Sequence, residues 1–183
     1  LGRARLWWGT IIHLRNDMRW VINVHTREDR DIDYVFRVLD IPWWYYGIAV
    51  VIGLVIGIWR KKPSLGILAG YVFLILAETV LIRRATPASH FQPELFWSWR
   101  AWDQQREQIL TNVVMFIPIG VLAGWLWQWK GLRFAVGLSV GIEVLQLIMS
   151  RGLCEFDDVM HNMIGALVGI LIMRFIIWLK KRV

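Results

Sequence analysis

The chain has 183 residues, 57% of them hydrophobic and only 19% charged, with thirteen Trp and a mean hydropathy of +0.47. A soluble domain runs nearer roughly 45–50% apolar and about 25% charged, so lipid is the expected solvent for the excess; a disordered chain and a collagen-like repeat are excluded. One cysteine, Cys154, rules out a disulfide-stapled module, and the net charge of +7 is read as basic connectors of a membrane protein, not as a nucleic-acid surface.

Residues 1–40 mix arginines with acids and lack a clean period. They are read as an irregular or interfacial extension, or as a mis-assigned start, and no site is placed there. An interfacial helix would lay Leu6, Trp7, Trp8, Ile11 and Ile12 on lipid. The transmembrane domain is read as 41–183.

Ile41 to Trp59 is free of charge and long enough to cross a hydrocarbon core of about 30 Å at ~1.5 Å per residue. Four further spans follow. Leu65 to Ile82 carries Glu78, Ile109 to Trp129 carries no charge, Phe134 to Ser150 carries Glu143, and Val159 to Leu179 carries only Arg174. The expected fold is therefore all-α, a polytopic bundle of five transmembrane helices. Short connectors join the spans, apart from Arg83 to Gln108, which has room for a re-entrant or interfacial piece.

All five lysines (Lys61, Lys62, Lys130, Lys180, Lys181), with Arg60, Arg133 and Arg182, fall after the first, third and fifth spans, where there are no acids. The positive-inside rule then puts those ends and the C-terminus in the cytoplasm and the N-terminus outside. Gly53 and Gly57, Gly66 and Gly70, Gly137 and Gly141, and Gly165 and Gly169 are small-xxx-small pairs that let backbones approach closely. Four such pairs exceed one dimer face, so packing within the chain is the expected use.

A carboxylate in mid-bilayer costs on the order of 3 kcal/mol, so Glu78 and Glu143 need partners or water. Both sit toward the outer ends of their spans. Asn112 lies near the outer start of the third span, ahead of Pro118, whose ring frees a backbone carbonyl. Gln146 shares a face with Glu143, and the fifth span opens with Asp157, Asp158, His161 and Asn162. These groups converge on a polar cavity open to the outside, with Arg83 or Arg84 and Arg151 at its rim. The bland alternative makes Asp157 or Asp158 a helix cap and pairs Glu143 with Arg83 or Arg151. Glu143, Asp157 and Asp158 are the candidate catalytic acids; Asp157, Asp158 and His161 are the candidate metal ligands, although no HExxH or CxxC spacing supports a metal. The sequence leaves the cofactor open. Phe96, Trp97, Trp99 and Trp102 read as an interfacial aromatic anchor.

Three blocks resemble the VanZ-like family of bacterial membrane proteins. They are Asn112, Phe116, Pro118 and Gly120 in an Asn-x3-Phe-x-Pro-x-Gly pattern, Glu143 with Gln146, and Arg151, Asp157, Asp158, Asn162 and Gly165 in an Arg-x5-Asp-Asp-x3-Asn-x2-Gly pattern. The likeness extends over about Ile41 to Leu179. It implies a polytopic protein of the kind linked to resistance against teicoplanin, a lipid-tailed glycopeptide, with the bilayer, an anionic lipid or lipid-linked cell-wall precursor, and a lipoglycopeptide as partners. Glu78, Arg83, Asn112, Glu143, Gln146, Arg151, Asp157, Asp158 and Asn162 are the expected ligand-binding set. An enzyme hydrolysing or transferring a phosphate-containing lipid headgroup is the alternative, with the acids moving protons and the arginines holding phosphate. A transporter using the carboxylates as a proton or cation relay is the third option, though no inverted repeat is visible.

Overall fold

The computed structural model describes residues 41–85 and 91–182. The extension expected over 1–40 lies outside the described residues. Helix α1 spans Trp43–Trp59; α2 spans Pro63–Leu76 and continues as a π-helical segment, Ala77–Leu81. A short strand β1 (Phe91–Gln92) and a one-turn helix α3 (Trp97–Arg100) precede α4, Trp102–Trp127. Helix α5 spans Lys130–Ile148, strand β2 spans Cys154–Glu155 and α6 spans Phe156–Lys180.

The all-α bundle expected from the sequence is present. Among the described residues, four helices are long and apolar enough to cross a membrane, and α1 is a shorter apolar helix of 17 residues. The first turns of α4 depart from expectation, because the helix begins at Trp102 and takes up the last part of the predicted Arg83 to Gln108 loop. No breaker stands between Trp102 and Ile109, and Asp103 in the first turn favours the positive end of the helix dipole. Pro118 sits inside α4 without ending it, and one turn earlier the Tyr71 hydroxyl of α2 donates to the Met115 carbonyl at 3.0 Å.

Two seams of glycine hold the bundle. In the antiparallel α1/α2 pair, Gly53 and Gly57 face Gly66, while Gly70 lies on the Ala49 carbonyl; a side chain at Gly66 would collide with the Gly53 carbonyl oxygen. In the α4/α6 pair, Gly120 lies on the Ala166 carbonyl, Gly165 on that of Val113 and Gly169 on that of Ile117. Since residue numbers rise together along both helices, this pair is parallel. Three of the four predicted glycine pairs thus pack within the chain, whereas nothing lies within 4 Å of where a side chain on Gly137 or Gly141 would start.

The core between α2, α4, α5 and α6 is built from Leu68, Ile75, Val80, Met115, Phe116, Ile119, Ala135, Ile142 and Ala166. Large apolar side chains also cover the outside, among them Val50, Val55, Ile58 and Trp59 on α1. Burial inside and apolar residues outside is the pattern of a helix bundle dissolved in lipid.

Candidate functional site

The polar residues gather where α2, α4, α5 and α6 meet at one end of the bundle. The π-helical turn after α2 shifts its backbone bonding by one residue, with the Ile82 N–H reaching the Ala77 carbonyl at 2.9 Å. Carbonyls left at this helix end are satisfied from α5 and the connector after it. Gln146 Nε2 donates to the Thr79 carbonyl at 3.0 Å, and Arg151 Nη1 donates to the carbonyls of Val80, Leu81 and Arg83 at 2.9, 2.5 and 2.7 Å. Arg151 therefore caps a helix from across the bundle.

Beneath this cap lies a cavity of about 130 Å³, lined by Thr79, Arg83, Gln108, Asn112, Met115, Ile142, Glu143, Gln146, Asp158 and Asn162. Six of the sequence-predicted residues thus meet there: Arg83, Asn112, Glu143, Gln146, Asp158 and Asn162. Glu78 belongs to the π segment but is not part of the lining, and Arg151 and Asp157 also stand outside it.

Within the cavity, Gln108 Nε2 donates to both oxygens of Asp158 at 3.1 and 3.0 Å. Glu143 accepts the Glu155 backbone N–H at 2.9 Å, tying α5 to β2, and Asn162 Nδ2 donates to the fully buried Ser139 hydroxyl at 2.8 Å. Among the described residues that line the cavity, three buried polar atoms have no partner: Asn112 Nδ2, Gln146 Oε1 and Asn162 Oδ1. Buried polar groups are almost always hydrogen-bonded, so such a concentration in one cavity marks a place for a ligand or water.

A strap of residues 91–100 lies beside the cavity. Its strand β1 pairs in parallel with β2, matching Phe91 to Cys154 and Gln92 to Glu155, and Phe91 packs edge-on against Phe156. Asp157 fastens the strap: its carboxylate accepts the Phe96 N–H at 2.7 Å, the Ser98 N–H at 3.0 Å and the Ser98 hydroxyl at 2.5 Å. Phe96 adopts a left-handed backbone conformation, φ 62°, uncommon for an aromatic residue and held here by that bond. Asp157 thus caps α3 across the chain, where the sequence alone also allowed it to cap the start of its own helix.

Trp97 Nε1 donates to Glu155 at 3.1 Å, and Trp99 Nε1 donates to His161 Nε2 at 2.9 Å. Because an indole can only donate, His161 Nε2 is the acceptor and Nδ1 carries the ring proton, 3.9 Å from Asp158 Oδ1. The three candidate metal ligands are therefore separated by function: Asp157 holds the strap, His161 takes the Trp99 bond and only Asp158 lines the cavity. Among the described residues no three His, Cys, Asp or Glu side chains converge to hold a metal ion. Burial, reinforced by the Asp158 charge, pushes the Glu155 carboxyl up to about 7, and burial raises the Cys154 thiol.

Sequence reasoning did not single out Gln108, Thr79, Ser98, Ser139 or Glu155 as site residues. Gln108 was within reach of it, standing four residues before Asn112 on the same helical face. The two serines carry no sequence signal, since their partners lie 59 and 23 residues away.

The family model for VanZ/LLP1 matches residues 64–178. The chain belongs to the VanZ/LLP1 family. The match runs from the start of α2 nearly to the end of α6, so it covers every residue of the cavity and leaves α1 outside, where the sequence likeness was expected to begin at Ile41. No curated protein and no solved structure matches the chain. Membership in the family agrees with a multi-pass membrane protein.

Proposed function

We propose that this VanZ/LLP1 family member lies in the bacterial cytoplasmic membrane with its polar cavity toward the outer leaflet, where it takes in the headgroup of a lipid or lipid-linked cell-wall component. Its N-terminal side would be outside and its C-terminus cytoplasmic. The observation that carries this reading is the cavity itself: buried carboxylates, an arginine and three unpartnered amide atoms at the bundle end opposite the basic connectors. Exposed aromatic residues at the same end, Phe96, Trp99 and Trp102, suit the headgroup level of a bilayer.

A protein that binds headgroups there would change the surface on which a lipid-tailed glycopeptide such as teicoplanin anchors, and so contribute to resistance. A second reading follows from Arg83, Glu143 and Asp158 lining one space. The arginine would hold a headgroup phosphate while a carboxylate moves a proton in hydrolysis or transfer.

The test is drug susceptibility of a sensitive Gram-positive host expressing the chain, beside Asp158→Asn and Gln146→Leu at matched membrane levels. Raised tolerance to teicoplanin but not to vancomycin, lost in both variants, is expected. A well-expressed wild type that protects against neither drug overturns the resistance reading. Turnover of radiolabelled phospholipid by the purified wild type, abolished by Asp158→Asn while lipid binding persists, would select the enzyme.

A further inference from the structure

The hydrogen-bond inventory of the cavity is lopsided. Gln146 is only 3% exposed, and its amide is oriented without ambiguity: the Thr79 carbonyl can only accept, so the nitrogen faces it and Oε1 is turned to the cavity. Asn162, also 3% exposed, spends its nitrogen on Ser139 and leaves Oδ1 without a partner. Asp158 takes a single amide nitrogen between its two oxygens, and Glu143 accepts one backbone N–H, so both carboxylates retain lone pairs. Against these acceptors stand one unpartnered donor, Asn112 Nδ2, and the Arg83 guanidinium.

Resting on the headgroup reading above, we propose that the cavity selects a primary ammonium group borne on a short arm beside a phosphate, as in a phosphoethanolamine headgroup. An ammonium offers three donors and no acceptor, the complement of a space whose free valences are oxygens of Gln146, Asn162 and the two carboxylates. The volume of about 130 Å³ has room for several waters and so for a two-carbon ammonium arm. A bare anion would meet two carboxylates. The phosphate would lie at Arg83, an exposed residue that lines the cavity and whose guanidinium rests on Gly152; a side chain there would begin 3.1 Å from its Cζ.

The test titrates the purified full chain in detergent with short-chain phosphatidylethanolamine, its N-methyl, N,N-dimethyl and trimethyl (choline) forms, and phosphatidylglycerol, following tryptophan fluorescence. O-phosphoethanolamine and ethanolamine serve as soluble arms, and Mg²⁺ alone as a competitor. Affinity is expected to fall along the methylation series, by about tenfold for each ammonium hydrogen bond that can no longer form. Gln146→Leu should flatten the series; it also leaves the Thr79 carbonyl unpaired, so its melting temperature is expected to fall while the folded fraction still reports the lost selectivity. Because the methylation series uses wild-type protein, it decides the matter even where a variant fails to fold.

Equal affinity across the series overturns the ammonium proposal and leaves the headgroup reading intact if Arg83→Ala weakens every lipid alike. Binding of none of the lipids overturns both. Tight binding of O-phosphoethanolamine equal to that of the lipid would keep the ammonium selectivity and assign it to a soluble ligand, overturning its lipid source. Displacement of the amine by Mg²⁺ at similar concentration would make the cavity a cation site and overturn ammonium selectivity.

Discussion

The α1/α2 hairpin and the α4/α6 pair are locked by the same device, glycine laid on a neighbouring backbone, yet they carry different loads. Along α1/α2 the facing residues are apolar and small throughout, and the groove beside them holds only Tyr46, Lys61 and Tyr71 as polar side chains. Along α4/α6 the seam runs into Gln108, Asn112, Asp158 and Asn162 at one end. Lipid gives helices no hydrophobic drive to associate, so close backbone packing is what fixes their separation. Where the packed helices also bear polar groups, that rigidity becomes preorganisation, holding unpartnered amides apart from one another and around a defined space.

The sharpest way to break the comparison is to overfill the seam that carries the site. Gly165→Val, whose side chain would enter the Val113 carbonyl, should destabilise the bundle by about 3 kcal/mol or more, whereas Gly137→Ala, facing open space, should cost no more than about 0.5 kcal/mol. Reversible unfolding in mixed micelles measures both; equal effects would mean the α4/α6 seam is not closely packed. Asp157→Ala comes next. Releasing three hydrogen bonds to a buried carboxylate should cost about 3 kcal/mol and raise hydrogen–deuterium exchange over 91–100, while Asp158→Asn should leave exchange in that strap unchanged.

The smallest effect is a pH dependence. Burial and then the Asp158 charge raise the Glu155 carboxyl from 4.5 to about 7, so the folded chain binds this proton more tightly than the unfolded one. Its contribution to stability is complete below pH 4.5, falls as pH rises through 7 and is level above. Glu155→Gln should remove that slope from a series of melting temperatures; an unchanged slope would place its origin elsewhere.

Much of this was legible because lipid makes polar residues conspicuous. Glu143, Gln146, Asp158 and Asn162 stand out in apolar spans, and their common end of the bundle follows from counting along alternating helices. The roles of Arg151 and Asp157 were not legible in the same way. Each bonds backbone groups that exist only because of a local irregularity, the π-helical turn after α2 for Arg151 and the left-handed Phe96 for Asp157. Neither irregularity has a glycine or proline to announce it in the sequence. The strap was read from its aromatic residues as an interfacial anchor and not as a partner of the site, since its strand pairing spans 63 residues between Phe91 and Cys154.

Single cysteines in a Cys154→Ser background test most directly the proposed orientation, with the cavity end outside the cell. Glu94→Cys, in the exposed strap, and Lys130→Cys, at the opposite end, would be treated with a membrane-impermeant maleimide on intact cells. Labelling is expected at position 94 before permeabilisation and at position 130 only after it. The reverse pattern would put the cavity in the cytoplasmic leaflet and contradict an outer-leaflet function.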